Sequence, residues 1–158
     1  METTVKQEDL SSLSADEVAD KVLSLTHVHL EEERIDEIDN LEMLGVGVTN
    51  LYLHRNLITK IENLESMRNL VLLSLASNKI TVVENLESLS CLKALDLGYN
   101  LIECIRPGDI PPSVLYLTTD GNPLSQMVKL PYPSPQFDVT AYLECLMSAP
   151  TYLTCSSY

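Results

Sequence analysis

The chain has no tryptophan, one phenylalanine and five glycines among its 158 residues. A core centred on aromatic rings is excluded, so leucine must carry most of the burial. Cations are scarce as well: ten Lys and Arg stand against 23 Asp and Glu, a formal net charge of −13. Nucleic-acid phosphates and anionic lipid headgroups repel such a surface, so neither is an expected partner, and a protein with a basic face is. No run of 18 apolar residues occurs, so no membrane-spanning helix is expected. The opening stretch METTVKQEDLSS lacks the basic-then-apolar order of a secretory signal. Four cysteines, at 91, 104, 145 and 155, form no C-x-x-C pair and no metal-ligand spacing. No Asn-x-Ser/Thr sequon is present, in keeping with a reducing, cytoplasmic setting. Phosphate-binding, nucleophile-elbow and H-E-x-x-H signatures are absent, so neither an enzyme nor a cofactor is expected. The lone GVG at Gly45–Gly47 is expected to be a turn.

What the chain does contain is repetition. ENLES occurs at Glu62–Ser66 and again at Glu84–Ser88, with a near copy at Asp39–Met43. LYLHRNLI (Leu51–Ile58), LSLASNKI (Leu73–Ile80) and LDLGYNLI (Leu95–Ile102) align on Asn56, Asn78 and Asn100, and Asn122 continues the 22-residue step. The unit is L-x-x-L-x-L-x-x-N-x-I-x-x-[IV]-E-N-L-E-x-[LM]. An earlier copy, HVHLEEERIDEIDNLEML, lies 23 residues ahead of its successor and has Glu33 in place of the asparagine. Heptads would not produce 22-residue copies with fixed asparagines.

The L-x-L segment has the two-residue period of a short strand, with leucines inward and the residues between them outward. The asparagine amide can both donate to and accept from backbone left unpaired where the chain turns the corner. Stacked asparagines should therefore form a ladder of Asn56, Asn78, Asn100 and Asn122. The following I-x-x-I-E-N-L stretch returns on the opposite side as an irregular or short helical turn. No unit buries its leucines alone, so the units must stack. The expected fold is an α/β solenoid of about five repeats over residues 26–124, with a parallel sheet on the concave side.

This pattern resembles the leucine-rich repeat family, and the I-x-x-I-E-N-L phrase at 22 residues resembles its SDS22-like subclass, typified by a phosphatase regulator. The phrase RPGDIPPSVLYL (Arg106–Leu117), placed after three regular repeats, is similar to a ciliary and flagellar branch of that family. The resemblance implies a non-enzymatic scaffold that binds a protein partner in a cilium or flagellum. The alternative it leaves open is a regulatory subunit of a protein phosphatase. Relatives usually end in a cap that this chain does not reproduce; only VKLPY is faintly similar.

Both ends need covering. Residues 1–12 are expected to be disordered. Residues 13–25, LSADEVADKVLSL, are expected to form a capping helix with Ser14 and Glu17 as its capping box. Thr119 takes the slot held by Leu53, Leu75 and Leu97, so the last repeat is weakened. The Pro-containing stretch 125–158 has a candidate helix at 138–149, and either a folded-back cap or a flexible tail is compatible with it.

The repeat register also predicts the concave surface. The middle column is His29, Tyr52, Ser74, Asp96 and Thr118; the column after it is Glu31, His54, Ala76, Gly98 and Asp120; the column before it is His27, Asn50, Leu72, Ala94 and Tyr116. Candidate partner contacts are His29, Tyr52, His54, Ser74, Asp96, Tyr99, Tyr116 and Thr118, with the tyrosines leading. His27, His29 and His54 should lie near one another, but no cysteine joins them and no metal site is expected. On the opposite side Asp39, Glu62 and Glu84 form one acidic column, and Glu42, Glu65 and Glu87 another. A solvated face is expected there, with a docking strip for a basic partner as the alternative.

Overall fold

The computed structural model describes Ser14, Asp16, Asp20, residues 23–44 and 47–124, and a final strand at Gln126–Met127. In chain order the strands are β1 (His27–His29), β2 (Asn50–Tyr52), β3 (Leu72–Ser74), β4 (Ala94–Asp96), β5 (Cys104–Ile105), β6 (Tyr116–Thr118) and β7 (Gln126–Met127). β1, β2, β3, β4 and β6 form one parallel sheet in that order, enclosing about four turns of a coil. The register is one repeat per strand: Val28, Leu51, Leu73, Leu95 and Leu117 stand opposite one another, as do His29, Tyr52, Ser74, Asp96 and Thr118. A second, two-stranded parallel sheet pairs β5 with β7, Cys104 opposite Gln126. Among the described residues it has no counterpart in the earlier repeats.

The core is a continuous file of repeat leucines and isoleucines. Leu51, Leu53, Leu73, Leu75, Leu95 and Leu97 are essentially inaccessible, as are Ile58, Ile80 and Ile102 on the far side. Each such burial contributes about 1.5–3 kcal/mol relative to exposure. β6 departs from this pattern. All three of its residues are only half-buried, whereas β2, β3 and β4 each bury two of three.

Each corner asparagine ties two repeats. Asn78 donates from Nδ2 to the carbonyls of Leu53 (2.9 Å) and Leu75 (3.0 Å) and accepts from the Ile58 N–H at Oδ1 (3.0 Å). Asn56 does the same with Leu30, Leu53 and Ile35, Asn100 with Leu75, Leu97 and Ile80, and Asn122 with Leu97, Thr119 and Ile102. A second asparagine column follows on the return side. Asn63 donates to the Ile38 carbonyl (2.6 Å) and Asn85 to that of Ile61 (2.7 Å). Asn40, Asn63 and Asn85 all have left-handed backbone, with φ of 58°, 59° and 60°.

That left-handed residue is the physical reason why the return segments are not helices. It interrupts a right-handed run after only a few residues. The described returns hold turns and a single 3-10 stretch, Leu41–Leu44, so the helical half of the expected α/β class is largely missing among the described residues. The expected capping helix at 13–25 falls mostly outside them. Asp16, Asp20 and Leu23 are helical, and the Ser24 N–H donates to the Asp20 carbonyl at 3.1 Å, but Leu23 is exposed. The stretch 1–12, the Gly45–Val46 part of the expected turn and the candidate helix at 138–149 also lie outside the described residues. Cys91 is buried and disulfide-bonded, whereas Cys104 is free. Among the described residues no helix is long and apolar enough to cross a membrane.

Candidate functional site

The concave sheet carries a groove of about 400 Å³. Its middle is low because β3 and β4 and the residues after them present small side chains: Ser74, Ala76, Ala94 and Gly98. Leu72 and Ala94 are themselves buried, so the floor is apolar and flush. Large residues rise on either side. Tyr52 and His54 form the β2 rim, and Tyr99, Tyr116 and Asp120 the β6 rim. β2 and β6 are three strand spacings apart in the sheet, about 14 Å.

Of the candidate contacts, Tyr52, His54, Ser74, Asp96, Tyr99, Tyr116 and Thr118 all line this groove. His29 does not. Its ring stacks on the Tyr52 ring, with centroids 4.5 Å apart and planes 12° from parallel, and its Nδ1 lies 3.1 Å from Glu31 Oε1. His29 therefore buttresses the back of the Tyr52 wall. Asn50 Nδ2 donates to the Tyr52 hydroxyl at 3.4 Å, a second brace. His27 Nδ1 lies 3.0 Å from the Thr26 hydroxyl. Among the described residues no three His, Cys, Asp or Glu side chains converge in a way that could hold a metal ion.

Arg55 and Ser77 also line the groove and have no place in the three sequence columns. Each immediately precedes a ladder asparagine and adopts left-handed backbone (φ 59° and 56°), which swings its side chain toward the concave rim. Tyr99 occupies the same position (φ 54°), and its ring covers Gly121, where a Cβ would lie 2.6 Å from the ring. The sequence signal for this set is simply "the residue before the repeat asparagine". Arg55 is held at the edge by Glu32, with Nη1 2.6 Å from Oε1.

Asp96 lies at the centre. Its Oδ1 accepts the Gly98 N–H at 3.0 Å, and a Cβ at Gly98 would sit a tight 3.3 Å from the same oxygen. Burial pushes the Asp96 carboxyl above its ordinary value, with the negative charge of Asp120 adding to this and the Gly98 N–H and His54 opposing it. Glu31 goes the other way. Burial raises it, but its own backbone N–H, the His29 hydrogen bond and the charges of His29 and His54 together leave it below its usual range. On the return side Lys60 Nζ sits 3.1 Å from Glu62 Oε2, and Glu62 and Glu84 hold the lysine above its ordinary value. Asp39, Glu65 and Glu87 are exposed.

No protein-family model and no curated protein matches the chain. Solved structures do. The functional domain of InlJ from Listeria monocytogenes superposes with a TM-score of 0.59 at 25% identity, over 70% of this chain and 24% of that one. Internalin C2 from the same bacterium gives 0.58 at 28% identity, over 72% and 49%. Internalin F gives 0.55 at 22% identity, over 68% and 38%. The fold is that of a leucine-rich repeat protein. The chain spans between about a quarter and a half of the length of these structures. The leucine-rich repeat architecture explains why the varied side chains of the concave columns, rather than the repeat residues, are the ones left free to make contacts.

Proposed function

We propose that this leucine-rich repeat solenoid is a non-enzymatic interaction module that holds a protein partner on its concave face. The observation that carries the proposal is the groove itself: a flush, small-residue floor between two tyrosine rims on a rigid parallel sheet. Tyrosines braced from behind, as Tyr52 is by His29, contribute large contact area at little entropic cost. Tagged protein carrying Tyr52→Ala and Asp96→Ala together should recover at least tenfold less partner in pull-downs while keeping its circular dichroism. Unchanged recovery would remove the concave face from the proposal.

The setting we propose is a cilium or flagellum, with an axonemal component as partner. Support for it comes from RPGDIPPSVLYL at Arg106–Leu117, which is similar to leucine-rich repeat-containing protein 46. A phosphatase catalytic subunit is the second reading, favoured by the SDS22-like phrase I-x-x-I-E-N-L. Phosphatase activity co-purifying from ciliated cells selects the second, and its absence beside recovered axonemal proteins selects the first.

A further inference from the structure

The groove has a chemistry as well as a shape. Its only described carboxylates are Asp96 at the centre and Asp120 at the β6 rim, and neither forms an ion pair with a basic side chain among the described residues. The basic groups that share the lining are His54 and Arg55, and Arg55 is already committed to Glu32. Asp96 Oδ1 takes the Gly98 N–H, and no described group bonds to its Oδ2. The floor beside it, Ala76 and Ala94, is apolar, and aromatic faces stand on both sides.

We infer that the groove receives an arginine side chain from the protein partner, its guanidinium against Asp96 and Asp120 and its methylene stem along Ala76 and Ala94. The inference rests on the concave-face reading above and adds the chemical class of the anchor. Arginine fits each part of the site. Its planar fork matches a carboxylate, its faces stack on tyrosine rings, and its stem covers apolar surface. A depression of about 400 Å³ accommodates a long side chain together with part of the backbone that carries it. A bound cation would also reverse the effect of burial on Asp96, so partner binding and ionisation of Asp96 would reinforce each other.

The test uses the full chain and a capped Gly-Gly-Arg-Gly-Gly peptide, followed by amide chemical shifts. The comparison peptides carry citrulline, which keeps the shape without the charge, or lysine. The arginine peptide should shift the Gly98, Tyr99 and Thr118 amides saturably and bind at least tenfold more tightly than the citrulline peptide, with lysine between them. Asp96→Asn, which keeps an oxygen for the Gly98 N–H, should reduce arginine-peptide binding at least fivefold with the remaining spectrum unchanged. Equal binding of the citrulline peptide, indifference to Asp96→Asn, or no shift at the groove with any peptide overturns the inference. Equal binding of lysine overturns the choice of arginine. These outcomes are separable from failure of the concave-face reading, which is decided by the Tyr52→Ala and Asp96→Ala pull-down.

Discussion

At the scale of single residues, two kinds of polar side chain sit in this protein on opposite terms. Asn78 satisfies three backbone groups that its repeat and the one before it leave unpaired, and it is buried in doing so. Asn78→Ala strands the Ile58 N–H and leaves the Leu53 and Leu75 carbonyls with one donor each, from Asn56 and Asn100, and should cost about 2–4 kcal/mol, read as a lower urea midpoint. Asp96 is held against its preference. Because burial raises its folded-state pKa, its contribution to stability is fully present below the ordinary aspartate value of 3.8 and is lost as pH rises through the folded value. Asp96→Asn should therefore raise the Tm by about 2 °C at neutral pH and give no gain near pH 3, checked by calorimetry across that range. The asparagine ladder was legible because hydrogen-bonding need fixes one residue type at one spacing. The strain on Asp96 was not, since it depends on how deeply β4 and Gly98 place the carboxyl and on the nearby Asp120.

At the scale of elements, the L-x-L strands follow from period-two alternation, and their register follows from the 22-residue step. The return segments are where expectation and structure part. Asn40, Asn63 and Asn85 sit inside the repeated acidic phrase, where nothing in the pattern marks them out, and each is the left-handed pivot of its turn. Asn85→Gly keeps the backbone conformation and loses the bond to the Ile61 carbonyl, at about 1 kcal/mol. Asn85→Ala loses both and should cost about 2 kcal/mol or more, so urea titrations of the pair separate strain from hydrogen bonding. The β5–β7 sheet was illegible from the repeat alone: Cys104–Ile105 pairs with residues beyond the last ladder asparagine, where the 22-residue pattern no longer applies.

At the scale of the molecule, contacts run from each repeat to its neighbours, which gives stability the character of a sum. Excision of residues 72–93 leaves Asn56 and Asn100 in step and should yield a folded, shorter solenoid, with a lower urea midpoint and a smaller m-value. Excision of 72–82 breaks the step and should abolish cooperative unfolding. The same full-repeat deletion removes Leu72, Ser74 and Ala76 from the groove floor, so partner recovery should fall while the fold survives.

The sequence by itself determined the coil: which leucines are inside, which asparagines turn the corners, and which residues share a concave column. These are consequences of periodicity, which a chain carries along its own length. Only the tertiary structure decided that Tyr52 and Tyr116 face each other across a floor of small residues. It also set His29 behind Tyr52 instead of in the groove, and brought Arg55 and Ser77 to the rim beside Tyr99. Those facts depend on side-chain volume, left-handed corners and depth across neighbouring strands, and a repeat pattern specifies none of the three.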